Sequence, residues 1–244
     1  MGIRGKVSGA VGLVALIIPL TGHAAETRTS GAPYDYSRND IHSCSVVSTA
    51  SSCTTVDYPD ERTGHMALSV TLQSASGGTL PSVGSGESQP EIWGTMPVDH
   101  ATSKIVVRAT YHVREAHAWR DGSIASASGR ALAYASADAY LYVNLWRDCY
   151  ITDGCTRDPC PLTCGYSASA RLVDISTGQT DMSAQDVVVT VTLQPEIGML
   201  PAGTLSFGGV LFGAASLGSF TLPDDGTAGV SVDATLTSVV ADLS

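Results

Sequence analysis

ASASGRALAYASADAYLYVNLWR, residues Ala125–Arg147, decides how this chain folds. Every odd position from Ala125 to Leu145 is Ala, Gly, Leu or Val. The even positions mix Ser, Arg, Asp and Asn with Leu132, Tyr134, Tyr140, Tyr142 and Trp146. No apolar stripe recurs at three and four residues, so the pattern is the period of two that belongs to a half-buried sheet, even though Ala is the best helix former. At about 3.3 Å per residue the run would extend about 75 Å, several times an ordinary strand. It is therefore expected to break near Gly129-Arg130 into two strands.

The same period appears on either side. Lys104 to Arg120 sets Ile105, Val107, Ala109, Tyr111 and Val113 against Lys104, Arg108, His112, Arg114 and Arg120, and Asp121-Gly122 reads as the turn that follows. Met66 to Gln73 alternates likewise. Ala168–Ile175, Val187–Gln194, Thr204–Phe212, Ala214–Leu222 and Gly229–Val239 complete the strand candidates, separated by Pro and Gly punctuation including Gly213. Ser74 to Ser103, rich in Gly and Pro, reads as a long connection with room for one short strand at Ile92-Trp93. The fold class these elements predict is all-β: a disulfide-stapled antiparallel β-sandwich with jelly-roll or Greek-key-like connections.

The N-terminus has the form of a cleaved signal peptide over residues 1–25. Arg4 and Lys6 precede an apolar Ala10–Leu20, and Gly22-His23-Ala24 supplies small residues for cleavage. The apolar core is too short for a permanent membrane span. Residues 26–43 are polar and read as a flexible leader, leaving 44–244 as a single β-sandwich domain. The expected location is extracellular. Six cysteines, Cys44, Cys53, Cys149, Cys155, Cys160 and Cys164, are even in number and suit disulfides in that compartment. Spacing pairs Cys44 with Cys53 in a closed hairpin and leaves two local bridges in the second cluster, of undetermined connectivity. A zinc site there lacks a C-x-x-C step.

Net charge is −10, and loss of Arg4 and Lys6 makes it 11 − 23 = −12 for residues 26–244. Such a chain repels nucleic acid and anionic membranes. No cofactor or metal motif is present: His112 is expected on one face of its strand and Glu115 with His117 on the other, so these three do not converge. Ser216, in a loose relative of G-x-S-x-G, lacks the strand-to-helix context of a nucleophile.

Two faces are candidates for binding. Tyr134, Tyr140, Tyr142 and Trp146 form an aromatic set around Asp138, suited to stacking on sugars while Asp138 and Asn144 bind hydroxyls. Arg108, His112 and Arg114 form a basic stripe on the preceding strand. If the two strands pair, the stripe borders the rings in one groove fit for an acidic glycan. The bland alternatives are cross-strand filler for the rings and ion pairs to neighbouring carboxylates for the stripe. The function expected is a secreted, non-catalytic binding or structural protein that recognises glycan or cell-surface material. Its alternatives are an extracellular polysaccharide hydrolase using Asp138, and a membrane-inserting β-type pore former that draws on the uncharged Ile197–Pro223 region.

Overall fold

The structure is a computed structural model and describes residues 25–46, 51–74, 83–122, 132–146, 165–195, 198–218 and 226–244. Two antiparallel sheets face each other. The first runs β3 (Ser51–Asp60), β4 (His65–Ser74), β11 (Gly226–Leu243), β6 (Ile105–Gly122), β9 (Asp181–Leu193), and β1 (Glu26–Ser30) pairs with the far half of β11. The second runs β2 (Tyr36–Val46), β5 (Val83–Val98), β10 (Gly203–Gly218), β7 (Leu132–Trp146), β8 (Tyr166–Asp174). Strands consecutive in sequence pack across the sandwich: β2 with β3, β4 with β5, β6 with β7, β8 with β9, β10 with β11. That is the jelly-roll order, a long ribbon of strand pairs folded over on itself.

Part of the core is locally complementary in size. Along the middle of β7 and β10 the second sheet turns Ala135, Ala137, Ala139, Gly209, Gly213 and Ala215 inward, and the first brings Met66, Leu68, Val70, Tyr111, Val230 and Leu236 to the shared core. Small residues on one side admit large ones from the other. A Cβ on Gly213 would lie 2.4 Å from Leu68 Cδ1, and one on Gly209 would lie 2.6 Å from Leu236 Cδ2. Tyr111 reaches furthest across: its hydroxyl donates to the Tyr140 carbonyl and accepts from the Val210 N–H at 3.2 Å, so it is wedged into the β7–β10 ladder. Burial pushes its phenol well above the ordinary value.

Several expectations change. Residues 26–43 are not a free leader, because they contain β1 and most of β2, each paired over its length. Cys44 and Cys53 do form a disulfide, with Cα atoms 5.7 Å apart, but the bridge joins β2 of one sheet to β3 of the other and closes no hairpin within a sheet. The Ser74–Ser103 connection contains β5, sixteen residues long. Its glycines hid it: Gly94 faces the Phe207 ring, and Gly86 faces Val70 and Cys53. Thr204–Phe212 and Ala214–Leu222 are one strand through Gly218, since Gly213 makes room for Leu68 and does not turn the chain. Asp121 and Gly122 end β6 within the ladder. The expected break at Gly129-Arg130 and the Cys149–Cys164 cluster lie outside the described residues.

One further correction concerns β6. A register shift against β11 leaves Arg114 as an extra residue between Val113 and Glu115, and Ala184 opposite it on β9 adopts a left-handed φ of 30°. The bulge returns Glu115 and His117 to the outer face that His112 also occupies. No group of three or more His, Cys, Asp or Glu positioned to hold a metal ion occurs among the described residues.

Candidate functional site

The outer face of the second sheet is assembled from five strands by register alone. Tyr36 on β2 lies opposite Trp93 on β5, Trp93 opposite Gly208 on β10, and Gly208 opposite Tyr142 on β7. The rings thus form a row perpendicular to the strands, since opposed residues share a face and neighbouring strands are about 4.8 Å apart. Tyr36 and Trp93 are parallel within 6°, with centroids 6.3 Å apart. Gly208 is the slot for the indole: a Cβ there would lie 2.8 Å from Trp93 Cε2. Tyr142 stacks on Tyr140 at 6.0 Å, and Tyr140 meets the edge of Phe212 at 6.3 Å. Beneath Tyr140 in the same register lies Val210, fully buried yet outside the main core. The rings above it therefore desolvate a small apolar floor of their own, and burial raises both the Tyr140 and Tyr142 phenols.

Two buried ionic clusters hold this row. Glu91, 2% exposed, accepts from Trp93 Nε1 at 2.7 Å, from Arg38 Nε at 2.6 Å and, on its other oxygen, from Gln89 Nε2 at 2.6 Å. Its carboxylate orients the indole, and the Arg38 guanidinium carbon sits 5.5 Å from the indole centroid. At the other end Arg171 on β8 donates through Nε to Asp138 at 2.7 Å, through Nη1 to Asp174, and to the Tyr134 hydroxyl at 3.4 Å. Both carboxylates are 6% exposed. They respond in opposite directions. Burial raises the Asp138 carboxyl despite Arg171, with Asp174 adding to the rise. Burial also pushes Asp174 up, but the Ser176 hydroxyl and N–H, Arg171 and the Thr177 N–H outweigh it and hold Asp174 below its ordinary value.

Of the residues singled out from sequence, Tyr134, Asp138, Tyr140, Tyr142 and Trp146 all lie on this face, Tyr134 and Trp146 toward opposite ends of β7 and exposed. Arg108, His112 and Arg114 do not join them. β6 and β7 belong to different sheets, so the basic stripe and the rings lie on opposite outer faces and the combined groove does not form. The stripe is also neutralised in place: Arg108 by Asp242, His112 by Asp186 at 2.8 Å, Arg114 by Asp233 at 3.3 Å. Tyr36, Arg38, Glu91, Trp93, Arg171 and Phe212 were not singled out from sequence. The alternation Glu87, Gln89, Glu91, Trp93, Thr95 is the signal that was available for β5.

The first sheet's outer face offers a cavity of about 480 Å³ lined by Glu115, His117, Asp181, Ser183 and Ser231. His117 there is bonded to Asp181 and stacked at 5.5 Å on Trp119, which lies over Gly229. It brings together one ring pair, against the five rings in mutual contact on the opposite face, Tyr36 with Trp93 and Tyr142, Tyr140 and Phe212 in a chain.

No protein-family model matches the sequence, and neither does any curated protein. Among solved structures the chain is similar to the enzymatically active domain of bacteriophage CBA120 tailspike protein 4, at 8% identity and a TM-score of 0.26 over 90% of this chain and 19% of that one. It is also similar to TmCBM61, solved in complex with beta-1,4-galactotriose, at 8% identity and a TM-score of 0.22 over 79% of this chain and 86% of that one. The chain thus spans about a fifth of the tailspike chain's length.

Proposed function

We propose that this is a secreted, non-catalytic glycan-binding protein that holds its ligand on the outer face of the second sheet. The observation that carries the reading is the row Tyr36–Trp93–Gly208–Tyr142, with Trp93 fixed by a buried carboxylate and seated where a glycine leaves space for it. Half-buried rings held in fixed orientations have little conformational freedom left to lose, which is what stacking on the apolar face of a sugar needs. Asn144, Ser167, Ser169 and Ser206 share that face and supply groups for hydroxyls. Pull-down and calorimetry against insoluble and soluble polysaccharides test it. Trp93→Ala and Tyr142→Ala are each expected to lose about tenfold or more in affinity, about 1.4 kcal/mol, with the melting temperature nearly retained. Unchanged binding by the double variant would sink the reading.

One observation favours a hydrolase: Asp138 and Asp174 flank Arg171 with their carboxyls displaced in opposite directions, as an acid and its partner are. Against it, one Asp174 oxygen already accepts from the Ser176 N–H and hydroxyl and the other from Arg171, which leaves it committed to the turn it caps. Release of reducing ends from a bound polysaccharide, abolished by Asp138→Asn, would establish the hydrolase instead.

A further inference from the structure

Resting on the glycan reading, we propose that this face takes an uncharged saccharide and rejects chains bearing uronate, sulfate or phosphate groups. Recognition of an anion in water needs a cation whose charge is not already balanced by carboxylates. Among the described residues of this face the cations are Arg38 and Arg171, and each is ion-paired with two carboxylates. Arg38 gives Nε to Glu91, sets Nη2 3.8 Å from Asp40 and lies over Trp93. Arg171 is divided between Asp138, Asp174 and the Tyr134 hydroxyl.

The carboxylates exceed what these two can neutralise: Asp40, Glu87, Glu91, Asp138 and Asp174 share the face. Glu91, Asp138 and Asp174 are each more than nine-tenths buried, so salt screens them poorly and an approaching anion meets a repulsive field. For an uncharged ligand the face offers the ring faces, the phenols, the Asn144 amide and the serine hydroxyls of β8 and β10. The positive residues that would have suited an acidic glycan are on the other sheet, paired with aspartates. Arg38 and Arg171 accordingly act as positioning residues for the rings, their charge balanced by the carboxylates they hold.

The test is calorimetry of the full chain against two panels, neutral (galactan, mannan, xylan, cello-oligosaccharides) and anionic (polygalacturonate, alginate, dextran sulfate). The expected result is binding to a member of the neutral panel, with an affinity that changes by no more than about twofold between about 20 and about 500 mM NaCl, and none to the anionic panel. Binding to an anionic polymer that weakens steeply with salt overturns the inference while leaving a glycan-binding protein. Binding to neither panel overturns the glycan reading and the inference with it. Glu87→Gln, which removes a part-buried carboxylate that bonds to none of the rings, is expected to leave neutral binding unchanged, whereas Trp93→Ala abolishes it.

Discussion

Arg171 stands between two aspartates whose environments oppose each other, and the sign of each contribution to stability follows. Asp138 holds its proton more tightly folded than unfolded, so its contribution is full below the ordinary carboxyl value and is lost as pH rises through the raised one. Asp174 is the reverse: its contribution is present above the ordinary value and is lost as pH falls through the depressed one. In melts from about pH 3 to about pH 7, Asp138→Asn is expected to flatten the fall in stability toward neutral pH. Asp174→Asn, which keeps a capping oxygen for the 3-10 turn Ile175–Thr177 but removes the charge paired with Arg171, should cost about 1 kcal/mol at neutral pH, with the deficit closing in acid. At Gly208 the arithmetic is steric. A methyl group there would stand 2.8 Å from the indole, so Gly208→Ala should tip Trp93 out of the row, cut saccharide affinity and shift the Trp93 emission, while the strand remains intact. Normal affinity in that variant would show that the slot is not needed.

At the scale of strands, the weak edge of the sandwich is closed by polar and covalent links where apolar packing is thin. Asp57 on β3 accepts from Asn39 at 2.7 Å, lies 3.2 Å from His42 on β2 and also receives Ser88 at 3.4 Å, and the Cys44–Cys53 bridge lies along the same seam. Removing the bridge as Cys44→Ser with Cys53→Ser frees a short loop in the unfolded chain and should cost about 2 to 3 kcal/mol in urea titrations. Because β2 carries Tyr36 and Arg38, affinity should fall with it; retained affinity would mean β2 is held without the bridge. How far the strands were legible depended on what their inner faces had to accept. β7 alternates throughout because Ala, Leu and Val fill its inner face, and β6 alternates up to the bulge at Arg114 because Ile105, Val107, Ala109, Tyr111 and Val113 do the same. β5 and β10 do not, because Gly86, Gly94 and Gly213 stand where Val70, Phe207 and Leu68 come in from elsewhere in the fold. Half the ring row was legible for the same reason. Tyr140 and Tyr142 lie on one alternating strand, but Tyr36, Trp93 and Arg171 become their neighbours only through pairings between distant segments.

For the molecule as a whole, the close approach of the two layers is set where the small residues of β7 and β10 meet large side chains of the other sheet. Ala137, fully buried on β7, has no space for three more carbons, and Ala137→Leu should cost about 1 to 3 kcal/mol by overpacking; an unaltered melting temperature would show slack between the layers. The strand order has a consequence for how such a chain is made. β10 is the middle of one sheet and β11 the middle of the other, and among the described strands they follow all the others in the chain. Until they emerge, each half-built layer is two separate pairs with nothing between them, so a nascent chain has no stable partial structure to settle into. Both layers therefore close through contacts between remote segments, the high-contact-order arrangement that folds slowly. A chain cut short before Gly226 should accordingly be unfolded over its entire length, β2 and β5 included, and not merely short of one strand.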